Sequence, residues 1–244
     1  MNQSSGALVL IDLQNDFLDP EAPFAVDQGS QEALKTTLSD LIPAFRASGG
    51  HIIWIKSHYA LATKEWKDHI NNLLATPPTN APKGVDTAYP DDSSLVGSLN
   101  PLGHNADVYE QLRWVIEGTH IGKRPCCLEG TFGADLVPWA SAMVSAEEDA
   151  VVIKTFYSAF RDTLLDELLQ SKNISEVYLC GLLSNMCVLA TALHGAQLGG
   201  LMTICVVEDA LAWRREESHR KALATMQSQG IKIMKSGDLR TCEP

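Results

Sequence analysis

Six short apolar runs recur along the chain, separated by segments whose apolar residues fall at helical spacing. The runs are residues 7–13 (ALVLIDL), 51–55, 151–154, 176–181 (EVYLCG), 201–207 and 231–234. They are largely continuous rather than alternating with polar residues, as strands buried on both faces are. Between residues 30 and 47, Leu34, Leu38, Leu41, Ile42 and Phe45 share one face of a predicted helix. Pro43 is a candidate kink in it, and Gly49-Gly50 a stop. Residues 163–170, 185–198 and 216–229 read as further helices, the second ended by Gly199-Gly200. Strands that alternate with helices imply a parallel sheet covered on both faces. The expected fold is therefore a three-layer α/β/α arrangement around a six-stranded parallel sheet.

One stretch breaks the pattern. Residues 57–148 hold Pro77, Pro78, Pro82, Pro90 and Pro101, with a helical patch at 108–116. So long an irregular segment inside an α/β domain is usually a lid or pocket wall; an ornamental insertion is the alternative. The 244 residues suit one large α/β domain or two small ones, and a single domain carrying this insertion is expected.

Composition narrows the function classes. Hydrophobic residues make up 45% and charged residues 20%, so a sizeable core needs no disulfide staple. The net charge of −11 leaves no basic face for nucleic acid. Arg214-Arg215 and Arg220-Lys221 sit among glutamates and read as a solvated helix face. No apolar run approaches the ~18 residues of a membrane span. Residues 1–6 lack the charged and apolar regions of a signal peptide, so a cytoplasmic location is expected. The six cysteines are scattered without CxxC spacing, which argues for thiols rather than zinc ligands. Cys126, Cys180 and Cys205 lie in or beside apolar runs and read as small core residues.

Ligands in an open parallel sheet sit beyond the carboxyl ends of the strands. Asp12 lies at the end of the first run, Lys154 ends the third, and Cys187 starts the helix after the fourth. Three reactive side chains from distant sequence would thus meet on one rim. A thiol at a helix N-terminus feels the positive end of the macrodipole, which favours its thiolate. Backbone N–H groups there are available to an oxyanion. Blander readings stand beside these: an inert helix cysteine, an aspartate that forms a turn, a lysine that reaches water. The turn Gln14-Asn15-Asp16 lacks the glycines that let a backbone approach pyrophosphate, so a dinucleotide site is set aside.

Four segments resemble the isochorismatase-like hydrolase family. They are IDLQNDF (11–17), GTFGADL (130–136), IKTFYSAF (153–160) and GLLSNMCVLATALHGA (181–196). Their order and rough spacing match that family across residues 7 to about 210. The resemblance implies a six-stranded parallel sheet with helices on both faces. It also implies a catalytic triad, with Cys187 as nucleophile, Asp12 as general acid/base and Lys154 as partner of Asp12. The family has a cis peptide before its Ser/Thr, here Leu182–Leu183, which makes the N–H groups of Leu183 and Cys187 the oxyanion hole. Phe17 and Tyr157 fall where the family has pocket aromatics; core packing is the other reading.

The implied activity is hydrolysis of an amide or ureide-type C–N bond of a small molecule, through a thioester. Vinyl ether hydrolysis of the isochorismatase type and a non-catalytic binding protein of the same fold are the alternatives. Nicotinamidases in the family carry an aspartate and histidines that bind a metal after strand two. Here that place reads Lys56-Ser57-His58-Tyr59, without the aspartate and with His69 unaccompanied. No metal or other cofactor, no nucleic acid or membrane partner, and a homo-oligomer are therefore expected.

Overall fold

The computed structural model describes residues 5–22, 24–58, 126–198 and 202–239. The apolar runs form β1 (Ser5–Ile11), β2 (His51–Ser57), β3 (Ala150–Lys154), β4 (Ile174–Gly181), β5 (Thr203–Leu211) and β6 (Lys232–Met234). They pair into one six-stranded sheet in the order β3-β2-β1-β4-β5-β6. Every pairing is parallel.

Side chains alternate across the sheet, and each face has its own core. Leu8, Leu10, Ile52 and Trp54 pack on one face against Leu34, Leu38, Leu41 and Ile42 of α2 (Gln28–Ala47). Val9, Ile11, Ile53 and Ile55 pack on the other. Their partners come from α4 (Leu165–Ser171), α5 (Leu189–Leu198) and α6 (Glu216–Ser228). Burial on both sides is why the central runs lack polar alternation; edge strand β3 leaves Val151 and Ile153 exposed. Three one-turn helices complete the described chain: α1 (Asn15–Leu18), α3 (Pro138–Ser141) and α7 (Ser236–Leu239). No helix among the described residues is long and apolar enough to cross a membrane.

Several boundaries differ from expectation for local reasons. The long helix starts at Gln28, because Asp27 caps it by accepting from the Ser30 N–H at 2.8 Å. It runs through Pro43 without interruption. Strand β1 stops at Ile11 rather than residue 13. Asp12 turns into the left-handed region at φ 58°, and its N–H goes to the Ile55 carbonyl at 3.0 Å. Aspartate tolerates that conformation better than most residues. Of the 57–148 stretch, residues 59–125, with the five prolines and the 108–116 patch, lie outside the described residues. Its end is tied down by Asp149, which pairs with Arg46 at 2.9 Å and accepts from Trp54 Nε1 at 2.8 Å.

The sheet order reverses at β1, whose neighbours are β2 and β4, and such a switch point opens a crevice at the strand ends. Gly181 closes β4 there at φ 107°. A Cβ on it would lie 2.2 Å from the Ile11 carbonyl oxygen. Gly181→Ala therefore meets both a left-handed backbone and a backbone clash. It is expected to cost about 3 kcal/mol or more and to lower Tm by roughly 10 °C. A thermal melt checks this; a variant with the wild-type Tm would refute the close approach.

Candidate active site

The first motif and the GTFGADL segment form one scaffold. The Gln14 N–H donates to the Asp12 carbonyl at 2.7 Å, which tightens the turn after β1. Asn15 donates through Nδ2 to the Phe132 and Asp135 carbonyls at 2.8 and 3.2 Å. Gln14 Nε2 donates to the Ala134 carbonyl at 2.7 Å. Asp16 is fully buried and accepts from the Cys127 N–H at 2.6 Å. Gly133, in the 3-10 turn Phe132–Ala134, packs on the Asp16 carboxylate so closely that a Cβ would lie 2.1 Å from it. The polar run after β1 is thus a set of donors and acceptors for one loop.

Asp12, Lys154 and Cys187 meet on the carboxyl rim. Lys154 Nζ lies 2.8 Å from Asp12 Oδ2 and 3.4 Å from Cys187 Sγ. Exposure is 1% for Asp12, 0% for Lys154 and 5% for Cys187. A lysine ammonium in such an interior persists only beside compensating charge. Burial works against the charge of Lys154, but Asp12 and then Cys187 outweigh it and push the pKa up. Lys154 is an ammonium at neutral pH.

Cys187 behaves otherwise than its position suggests. It sits in a π-helical turn, Ser184–Val188, that precedes α5 rather than in the first turn of an α-helix. The Val188 N–H reaches back to the Leu183 carbonyl at 3.2 Å, which widens the turn. Burial pushes the Cys187 thiol well up, Asp12 pushes the same way, and Lys154 only partly opposes them. The resting site therefore holds a thiol, not the thiolate expected from the helix dipole, because burial and a neighbouring carboxylate outweigh a dipole worth about 1 kcal/mol.

The nucleophile turn and the lysine motif are bonded to each other. Thr191 Oγ1 donates to the Cys187 carbonyl at 2.7 Å and accepts from the Ala159 N–H at 3.0 Å. Ser158 Oγ and His194 Nδ1 lie 2.9 Å apart. On the other side, Ser184 Oγ lies 3.0 Å from Nδ1 of His219. That imidazole stacks on Trp213 at 3.9 Å between centroids. Its pKa falls to about 4, chiefly through burial, so it is neutral at physiological pH.

The Leu182–Leu183 peptide is cis, as the resemblance implied. Phe17 and Tyr157 are both buried, at 7% and 5%, one in each core. Sequence reasoning missed Ser57 and treated it only as a boundary. Ser57 is fully buried, accepts from Lys154 Nζ at 2.6 Å and donates to Asp12 Oδ1 at 2.9 Å. A serine that ends an apolar strand level with Lys154 was the available signal, and it is a weak one.

At the place of the nicotinamidase metal motif the described residues offer one imidazole, His58, beside the Lys56 ammonium. His58 is half-buried, and burial together with Lys56 lowers its pKa. Lys56 Nζ lies 3.6 Å from Oδ1 of the exposed Asp135 carboxylate. Among the described residues no group of three or more His, Cys, Asp or Glu side chains is placed to hold a metal. His69 lies outside the described residues.

The fold is a doubly wound parallel sheet with a carboxylate, an ammonium and a thiol gathered at its switch point. The isochorismatase domain matches residues 6–238, and the chain belongs to that family of hydrolases. The nicotinamidase of Schizosaccharomyces pombe is 25% identical over 239 residues, covering 95% of this chain and 94% of its own. That of Saccharomyces cerevisiae is 26% identical over 209 residues, covering 81% and 84%. An isochorismatase family protein from Desulfovibrio vulgaris superposes with a TM-score of 0.66 at 21% identity, covering 97% and 96%. This last likeness shows the shared fold.

Proposed function

We propose that this chain hydrolyses the C–N bond of a small amide or ureide through a thioester on Cys187. The observation that carries the reading is the buried cluster: an aspartate–lysine pair at 2.8 Å with a cysteine sulfur 3.4 Å from the ammonium. Asp12 takes the proton of Cys187 as its sulfur attacks the carbonyl carbon, and Lys154 stabilises the charge that moves between them. The N–H groups of Leu183 and Cys187 hold the oxyanion. Asp12 then returns the proton to the departing nitrogen, and the C–N bond breaks. In the second half Asp12 takes a proton from water, hydroxide adds to the thioester, and the sulfur leaves with that proton from Asp12 as the acid forms.

The yeast relatives are nicotinamidases, which favours an amide carbonyl here. The family's name keeps vinyl ether cleavage as the second reading. The test is a screen of small amides (nicotinamide among them), ureides and isochorismate, run with and without EDTA. Turnover of an amide or ureide is expected, unchanged by chelation, because the aspartate of the metal motif is absent and the Lys56 ammonium stands beside His58. Turnover of isochorismate alone would overturn the amide reading. Loss of activity in EDTA with recovery on added zinc or iron would overturn the metal-free one.

A further inference from the structure

The hydrogens around Ser57 have one consistent arrangement. An ammonium only donates, a carboxylate only accepts, and a hydroxyl has one proton. Lys154 Nζ at 2.6 Å obliges Ser57 Oγ to accept, so the serine proton must point to Asp12 Oδ1 at 2.9 Å. Oδ1 then accepts from a neutral hydroxyl. Among the described residues no regularly directed hydrogen bond reaches Oδ2, whose contact with Nζ is an ion pair at 2.8 Å. The two oxygens of one carboxylate are thereby made unequal.

The serine is itself held by both of its peptide groups. Gln14 Nε2 donates to the Ser57 carbonyl at 2.8 Å, and the Ser57 N–H donates to Gln14 Oε1 at 2.8 Å. The second Nε2 bond, to Ala134, ties this clamp to the loop that covers Asp16. Gln14 and Ser57 are both fully buried. The clamp holds the backbone of residue 57, and with it the Cβ from which the hydroxyl reaches Asp12 Oδ1 and Lys154 Nζ.

We propose that Ser57 is a positioning residue that reserves Asp12 Oδ2 as the proton-carrying oxygen, and that Gln14 holds it in register. This rests on the reading of Asp12 as the acid/base. The titratable groups in contact are Asp12, Lys154 and Cys187. Cys127 and Asp16 stand behind them, and Lys56 and His58 flank Ser57 along the chain. Removing the hydroxyl takes away a donor that favours the charged carboxylate, so the cluster retains an extra proton to higher pH.

The test uses the full chain and iodoacetamide, with the adduct on Cys187 followed by mass spectrometry across pH. In Ser57→Ala the acid limb of the alkylation rate is expected to move up by about one pH unit. Ser57→Thr, which keeps the hydroxyl, should restore it. The acid limb of kcat/KM should move with it on whatever substrate the screen finds. Alkylation needs no substrate, so its limb shifts even if the proposed reaction is wrong; a shift in alkylation without thioester chemistry would sink only the function. Should Ser57→Ala fail to fold, Ser57→Cys keeps the shape with a weaker donor and must move the limb in the same direction. A limb that coincides with the wild type in these variants overturns the proposal.

Discussion

Cys187→Ala is expected to lower turnover by roughly 10⁵-fold or more while leaving substrate affinity within a few-fold, because the nucleophile and its base act as one unit. Nothing nearby replaces the sulfur. The other described thiols are buried, Cys127 and Cys180 with pKa values pushed well up by desolvation. Calorimetric binding and steady-state kinetics on the same variant separate affinity from rate. If vinyl ether cleavage were the reaction, protonation would carry the barrier and Cys187→Ala would keep most of its rate. Asp12→Asn should lose turnover under either chemistry, since an amide cannot carry the proton. The cysteine variant therefore discriminates, and the aspartate variant does not.

The second large effect is on stability. Lys154→Met leaves the Asp12 carboxylate, 1% exposed, without its counter-charge. Breaking a buried pair by removing one partner costs about 3–5 kcal/mol, and in a chain of this size that lowers Tm by roughly 10 °C. Adding Asp12→Asn to Lys154→Met removes the orphaned charge, and asparagine tolerates the left-handed backbone at φ 58°. The double variant should regain most of the lost Tm and none of the activity. Thermal melts of the three proteins check this. A Lys154→Met protein as stable as wild type would mean that the charge of Asp12 has another partner.

What was legible in the sequence follows from what a linear pattern records. The apolar periodicity of Leu34, Leu38, Leu41, Ile42 and Phe45 placed α2 on its sheet face, since burial itself imposes the spacing. Continuous runs located the six strands, the central ones for the same reason and β3 in spite of its exposed Val151 and Ile153. Asp12 and Lys154 were singled out because charged residues at strand ends are conspicuous, and Cys187 because it starts the helix expected after the fourth strand. Their distances were not legible, because these depend on the order β3-β2-β1-β4, which places β1 between the strands bearing the other two. The state of Cys187 was misread for a related reason: the dipole argument sees local backbone, whereas burial is set by both cores. Ser57 and Gln14 were missed because their roles are purely tertiary. Each bonds across the interval between residues 14 and 57, and neither breaks a periodic pattern.

The central claim is the covalent bond between Cys187 and an acyl group. Rapid mixing of the wild type with a substrate found in the screen, quenched in acid within the first turnover, preserves a thioester for mass measurement. An intact-mass increase equal to the acyl fragment is expected, mapped to Cys187 and absent from Cys187→Ala. A wild-type enzyme that turns over rapidly under the same quench, with no adduct on Cys187 at any time point, would contradict it.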